Sequence, residues 1–415
     1  MHSAATVSAS SALAGLSVTR SAFAGGSELL KVGLVGCGGR GTGAAEQALT
    51  ADSNTRLVAM ADAFRDQIES SLSELKGSAV AERVDVPEDH RFAGFDAYKS
   101  VIDAVDVVLL ATPPGFRPIH FAYAVEKGKH AFVEKPMAVD GPGLRRFLEA
   151  AKLSKEKGLC AAHGFCWRYY GPRRELMKRV HGGDIGDIVA VETTYNSQGV
   201  WDPRKTREEC KSEMEYQMRN WYYYDWLSGD HIVEQAVHSL DDMAWILKDI
   251  APERCWGVGG RQARTDPKYG NIWDHFSIVY EYPENVRGYH HCRHWQGTPT
   301  QTKDYIFGTR GMADVFGVRI SGPSKWRSRE EKGNMYQNEH DELFAAIRAG
   351  SVLNNTEQSA SSTLLAIMGR MAAYTGQVIT PEQALNSSEG LVPTEFAWGP
   401  APQRPVPVPG VTKFA

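Results

Sequence analysis

The sequence predicts an α/β chain in which a doubly wound parallel sheet is followed by an α+β domain with an open, mainly antiparallel sheet. Three observations carry this. An aliphatic, β-branched run, Val32, Leu34 and Val35, breaks into glycine at Gly36, as a buried parallel strand does where it turns into a helix. Between residues 29 and 157 extended and helical patterns alternate with short connections, the rhythm of a parallel sheet covered by helices on both faces. Beyond residue 270 the pattern changes to period-two alternation around tight turns, which marks antiparallel strands. At 415 residues the chain exceeds what one core serves, so two domains are expected, 28–152 and 153–392, between a leader at 1–27 and a proline-rich tail at 393–415.

The net charge of −4 supplies no basic field for nucleic acid and no polybasic segment for an anionic membrane, which leaves a small polar ligand as the default partner. The six cysteines include no C-x-x-C pair, so neither a zinc cluster nor a disulfide framework is indicated. The leader "HSAATVSASSALAGLSVTRSAFAGG" is rich in Ala and Ser, and Ala22-Phe23-Ala24 fits the small-x-small pattern read by signal peptidase. It lacks a basic n-region. It reads as a twin-arginine export signal whose start is missing, which would place the protein in the periplasm; the alternative is a low-complexity leader on a cytoplasmic enzyme.

In chain order, the first strand opens into Gly36-Cys37-Gly38-Gly39-Arg40-Gly41, a G-x-G-x-x-G loop. Gly36 permits the tight turn, Gly38 lets a pyrophosphate approach the backbone, and Gly41 lets the next helix pack close to the strand. Phosphates would sit on the helix N-terminus. The second strand, "RLVAMAD", ends in Asp62, twenty-one residues beyond Gly41, the spacing at which a carboxylate accepts the hydroxyls of the adenine ribose. That carboxylate repels a 2′-phosphate, so NAD is expected over NADP, with Arg65 as a counter-signal. A short helix from Asp96, a buried strand ending in Thr112-Pro113-Pro114, the helix "RPIHFAYAVEKG" with His120, the strand "HAFVEKP" and the helix "PGLRRFLEAAKLSKEKG" follow. Glu134 and Lys135 thereby fall at a strand's carboxyl end, on the same rim as the glycine loop.

In this order and at these spacings the glycine loop, the strand ending in Thr112-Pro113, the helix with His120 and Glu134-Lys135-Pro136 resemble the Gfo/Idh/MocA group, the glucose-fructose oxidoreductase and inositol dehydrogenase family. The resemblance runs from roughly Lys31 to Gly390. It implies a Rossmann domain that binds NAD, with Thr112, Pro113, His120 and Glu134 joining the loop and Asp62 around the dinucleotide. It also implies hydride transfer between nicotinamide and a sugar or polyol carbinol, with Lys135 reaching the reacting oxygen.

The segment "GDHIVEQAVHSLDDMAWILKDI" places Val233, Val237, Leu240, Ala244 and Leu247 on one helical stripe and Glu234, His238 and Asp241 on a second. From the residues alone, His238 is a core-edge histidine paired with Glu234. The resemblance makes it the proton acceptor of an Asp-x-x-x-His helix, with Glu234 standing in for the Asp that orients it. "DHFSIVYEYPENVRGYHHCRHWQ" reads as a hairpin turning at Pro283-Glu284-Asn285, and "DYIFG" pairs with "MADVFG" across Thr309-Arg310-Gly311. Alternation puts His290, Cys292 and His294 on one face, but strand residues two apart lie about 7 Å from each other, too far to share a metal easily, and none is expected. Arg293, on the other face, is a substrate hydroxyl or carboxylate donor or a surface ion pair, and Arg168 is a further substrate candidate.

Between 195 and 226 the chain is dense in aromatics and charge, so Trp201, Arg219, Asn220, Trp221 and Tyr222 are expected either to bind sugar, with rings stacked on its C–H faces, or to pack a subunit interface. A homo-oligomer through the C-terminal sheet is expected. Asn338 should cap the helix that Gly350 ends, and the tail should lie extended over the surface. Three functions fit: an NAD-dependent sugar, glycoside or cyclitol dehydrogenase, an NAD-requiring glycosidase or lyase that oxidises transiently and eliminates, and a non-catalytic dinucleotide-binding protein.

Overall fold

The computed structural model describes residues 28–330 and 332–414; the leader and its Ala22-Phe23-Ala24 motif lie outside the described residues. Six parallel strands, β1 (Leu30–Val35), β2 (Thr55–Asp62), β3 (Arg91–Ala93), β4 (Val107–Leu110), β5 (His130–Val133) and β6 (Ala161–His163), form the first sheet in the order β3-β2-β1-β4-β5-β6. The strand order reverses between β1 and β4, which opens a crevice beyond their carboxyl ends. Helix α1 (Gly39–Ala51) buries Ala44, Ala45, Ala48 and Leu49 completely, and such small side chains let it lie close against the sheet. The fourth strand is buried at every position, as its unbroken aliphatic pattern requires. The expected domain break at 152/153 falls inside the helix Gly141–Glu156, and β6 extends the first sheet to residue 163.

The second sheet has eight strands. Its centre is β7 (Ile188–Ser197), antiparallel to β11 (Gln301–Gly308) on one side and parallel to β10 (Arg287–His294) on the other; β8 (Arg254–Gly260) and β9 (His275–Glu281) complete one edge, and β12 (Met312–Asp314), β13 (Arg319–Ser321) and β14 (Trp326–Arg327) the other. The β9–β10 and β11–β12 pairs are the two antiparallel pairs read from the sequence. One face, with His290, Cys292 and His294, is buried. The other presents a row that runs across five strands, Trp256, Val279, Tyr289, Glu192 and Tyr305, with Trp256 and Tyr289 exposed.

Two local expectations are corrected, and a third is extended. The helix over 231–247 is two pieces, His231–Glu234 and Val237–Ile246, separated at Gln235-Ala236. Helix Met335–Ala349 is capped by Asn334, whose side chain accepts from the amides of Tyr336 and Gln337, while Asn338 lies within it and donates to the Tyr169 carbonyl at 2.9 Å; Gly350, in the left-handed region at φ 64°, ends it as expected. The tail is extended but anchored. Its Phe396 and Trp398 rings pack against Phe95, Phe116 and Phe64 at centroid distances of 4.6–5.7 Å, and Trp273 donates to the Pro407 carbonyl. Alternating aromatics among prolines give an extended chain side chains that can dock.

Candidate active site

A cleft of about 740 Å³ lies beyond the carboxyl ends of the first sheet, walled on its far side by residues of the second domain. The glycine loop forms its floor. Gly36 has φ +97°, and a Cβ there would meet the backbone of Ala111 and Thr112 at 2.6 Å; a Cβ on Gly41 would lie 1.9 Å from the Gly36 carbonyl oxygen. Gly38 and Gly39 face open space. The loop is therefore tight where it touches protein and bare where a ligand would approach, at the N-terminus of a helix with no acidic side chain in its first turn. This fits a dinucleotide pyrophosphate.

Asp62 sits on the rim and accepts the Cys37 amide at 2.8 Å and the Phe64 amide at 3.0 Å. Burial raises its pKa, and those two backbone bonds oppose the rise. Cys37 contributes its amide, while its buried thiol faces the Ala61 carbonyl and is absent from the cleft lining. Arg65 is engaged by Glu69, Glu88 and the Arg91 carbonyl. Arg40 lines the cleft but its guanidinium is held by Glu134, Glu339 at 2.6 Å and Gln47 at 2.8 Å, so it braces the loop against the strand end and is no free phosphate donor. Thr112 and Pro113 line the cleft, and Thr112 Oγ1 meets His120 Nδ1 at 3.3 Å. Burial pushes the His120 imidazole down to about 3, so it is a neutral wall.

Lys135, Glu234 and His238 converge on the same cleft. The Lys135 ammonium donates to the Glu234 carbonyl and lies 3.1 Å from Glu234 Oε1. In an unbroken helix that carbonyl would take the His238 amide; here the His238 amide turns to Gln235 at 3.3 Å, and the helix break releases the carbonyl to Lys135. The expected Glu234–His238 pairing is thereby corrected: Glu234 partners the lysine. His238 is half-buried and held by stacking on Trp167 at 5.0 Å, with Nδ1 buried and unpartnered among the described residues. Burial, reinforced by the charges of Lys135, Arg173 and Arg40, drives its pKa well below 6.5, leaving a neutral imidazole able to accept a proton.

The substrate candidates divide. Trp201, Arg219 and Trp221 line the cleft. Arg219, however, is bidentate on Asp66 at 2.6 and 2.9 Å and lies 3.7 Å over the Phe64 ring, at the nucleotide end beside Asp62. Asn220 is fully buried and bonds the backbone of Arg204 and Lys205. Tyr222 is buried behind the wall and donates to Gln235 Oε1 at 3.2 Å. Arg168 is not in this cleft: it is buried in an ion network with Asp241 and Asp249, because the Asp241 that shares a stripe with His238 points to the core side. Arg293 projects from the opposite sheet face and donates to the Pro299 carbonyl. His290 meets Thr193 Oγ1 at 2.9 Å and His294 meets Gln235 Oε1 at 2.7 Å; among the described residues no group of three or more His, Cys, Asp or Glu is placed to hold a metal.

Sequence reasoning missed Tyr195, Gln235, Arg204 and Tyr336, which line the cleft, and Arg117. The buried Arg117 donates to the Pro136 carbonyl at 2.6 Å and the Thr112 carbonyl at 2.7 Å, tying the two strand ends together. An arginine beginning a helix just after Thr-Pro-Pro, in an otherwise apolar stretch, was its only signal.

Residues 30–165 match the family described as "Oxidoreductase family, NAD-binding Rossmann fold", and residues 174–314 match "GFO/IDH/MocA C-terminal domain". The chain is 27% identical over 248 residues to 2,7-anhydro-N-acetylneuraminate hydratase of Escherichia coli, covering 56% of this chain and 61% of that protein. It is 28% identical over 256 residues to inositol 2-dehydrogenase of Rubrobacter xylanophilus, covering 60% of each, and 32% identical over 179 residues to glycosyl hydrolase family 109 protein 1 of Bacteroides thetaiotaomicron, covering 42% of this chain and 36% of that one. The match thus spans about three-fifths of the length of the first two. Among solved structures it shares the fold of aldose-aldose oxidoreductase from Caulobacter crescentus, with TM-score 0.66, 18% identity and coverage of 85% of this chain and 100% of that one. No described helix is long and apolar enough to cross a membrane.

Proposed function

We propose, from the premise that this chain belongs to the Gfo/Idh/MocA oxidoreductase family, that it transfers a hydride between NAD and a secondary hydroxyl of a sugar, glycoside or cyclitol. The convergence of Lys135 and a neutral His238 on the cleft that holds the glycine loop carries this reading. When bound, the nicotinamide supplies the hydride acceptor. The chain's residues do the rest. Lys135 donates to the hydroxyl oxygen and stabilises the negative charge that grows on it, His238 takes the proton, and Glu234 fixes the lysine's direction. Trp167 holds the imidazole plane, since no hydrogen bond among the described residues does.

A second reading, oxidation followed by elimination and return of the hydride, uses the same residues. The anchored tail favours it. Phe396 and Trp398 pack on Phe64, Phe95 and Phe116, which line the nucleotide end of the cleft, and Arg219 clamps Phe64 from the other side. A nucleotide enclosed in this way would be kept through successive turnovers, which suits a cycle that returns its hydride. The exposed row of the second sheet, with Trp256 and Tyr289, suits a homo-oligomeric contact. The leader's composition suits export to the periplasm with the nucleotide already loaded. Incubation with a panel of sugars, glycosides and cyclitols, following both nicotinamide reduction and aglycone release, separates the readings: net reduction marks a dehydrogenase, cleavage without it marks oxidation and return, and neither on any compound rejects both.

A further inference from the structure

Of the guanidinium groups at or beside the cleft, Arg117, Arg204 and Arg264 have no carboxylate within ion-pair distance among the described residues; Arg117 is held by the Pro136 and Thr112 carbonyls, which leaves Arg204 and Arg264. Arg204 lines the cleft, is exposed there to an incoming ligand, and lies 4.0 Å over the Trp201 ring. The acids around it are engaged elsewhere: Glu209 with Lys205, Glu213 with Arg207, Asp66 with Arg219 and Asp202 with Lys268. Arg264 lies beside Tyr223, 7% exposed, with Nη1 buried and unpartnered among the described residues. Its Nη2 has room only because residue 199 is glycine, where a Cβ would come within 2.4 Å. Tyr223 joins the two, its ring 5.5 Å from the Arg264 guanidinium and its hydroxyl bonded to the Trp201 carbonyl. Partial burial of its side chain lowers the Arg204 pKa, opposed by Tyr223.

Uncompensated positive charge lining a cleft favours an anion there. A guanidinium whose face is stacked on an aromatic ring keeps its N–H edge free, and that edge matches a carboxylate or phosphate bidentately. The group is connected to the reacting end: Trp201 packs on Tyr222 at 6.1 Å, and Tyr222 bonds Gln235, next to Glu234. The phosphate-facing glycines belong to the first domain and Arg204 to the second.

We infer that Arg204 is a specificity-determining residue for an anionic substituent, a carboxylate or a phosphate, on the sugar or cyclitol. This rests on the reading of the cleft as a site for hydroxyl compounds. Calorimetric titration of the NAD-loaded protein with glucose, glucuronate and glucose 6-phosphate, in the wild type and in Arg204→Gln and Arg204→Lys, tests it. An anionic compound should bind about tenfold or more tightly than glucose, consistent with one charge-assisted bidentate contact. Arg204→Gln should erase that preference, Arg204→Lys should keep part of it, and NAD affinity should be unchanged in both. Which of the two anions gains identifies the substituent. The inference is overturned if glucose binds as well as both anions, if nothing binds, or if Arg204→Gln weakens NAD instead, which would assign the arginine to the cofactor's pyrophosphate. Anion-selective binding without hydride transfer on any hydroxyl compound would leave Arg204 its role and reject the oxidoreductase reading.

Discussion

The Lys135 ammonium meets Glu234 twice, at its carbonyl and at Oε1 3.1 Å away, joining residues 99 apart in the chain. The contact crosses from one domain to the other and exists because the helix breaks between Glu234 and His238.

This assignment separates two roles in pH profiles. Lys135→Met and His238→Ala should each lower kcat by about 10²-fold or more with NAD binding retained. Glu234→Gln should lower kcat less and leave the acid limb of kcat/KM in place. The imidazole's depressed pKa keeps it neutral below pH 6.5, so activity should fall only as acid reaches that lower value. A large shift of the acid limb in Glu234→Gln would restore the carboxylate to the histidine.

Cofactor choice is expected to follow Asp62. With Arg65 and Arg40 held by carboxylates, Asp62→Ser should weaken NAD and relieve repulsion toward NADP. Tighter binding of NADP than NAD by the wild type in calorimetry would contradict this.

For Arg168 the expected loss is in stability. Its partners Asp241 and Asp249 would be left behind, Asp241 in a fully buried site, and removing one member of a buried ion network costs about 3–5 kcal/mol. Thermal unfolding of Arg168→Met should show that loss, with KM for the hydroxyl substrate unchanged in the folded fraction. A raised KM with unaltered stability would return Arg168 to the substrate.

The strands, the glycine loop and the strand-end positions of Glu134 and Lys135 were legible because period and glycine are local signals. The fates of the arginines were not. Arg40, Arg168, Arg219 and Arg293 look alike in sequence, and what distinguishes them is whether a carboxylate reaches them from an element 73, 94 or 153 residues away. The helix break at Gln235 was equally hidden, since the hydrophobic stripe continues through it and the lysine that takes the freed carbonyl comes from the other domain. The tail's docking depended on Phe64 and Phe95, which carry no sequence sign of an exposed apolar patch.

Retention of the nucleotide should depend on the tail. Protein purified without added cofactor is expected to carry NAD(H), and the double variant Phe396→Ser, Trp398→Ser should release it at least about tenfold faster, since these rings pack on the loops that wall the nucleotide end. Equal release rates from both proteins would contradict the enclosure.

The most direct test follows the transferred atom. Once a hydroxyl compound is found to react in the panel, it is prepared with deuterium on its carbinol carbon and incubated with NAD-loaded protein, and the released nicotinamide is analysed by mass spectrometry. Deuterium should appear on the nicotinamide ring with the wild type, at the end of the reaction if the cycle is a net oxidation and in samples acid-quenched during turnover if the hydride is returned to the product carbon, and should be lost or nearly so with Lys135→Met and His238→Ala. A nicotinamide unlabelled both during turnover and at its end in the wild type, or equal labelling in all three proteins, would contradict the account.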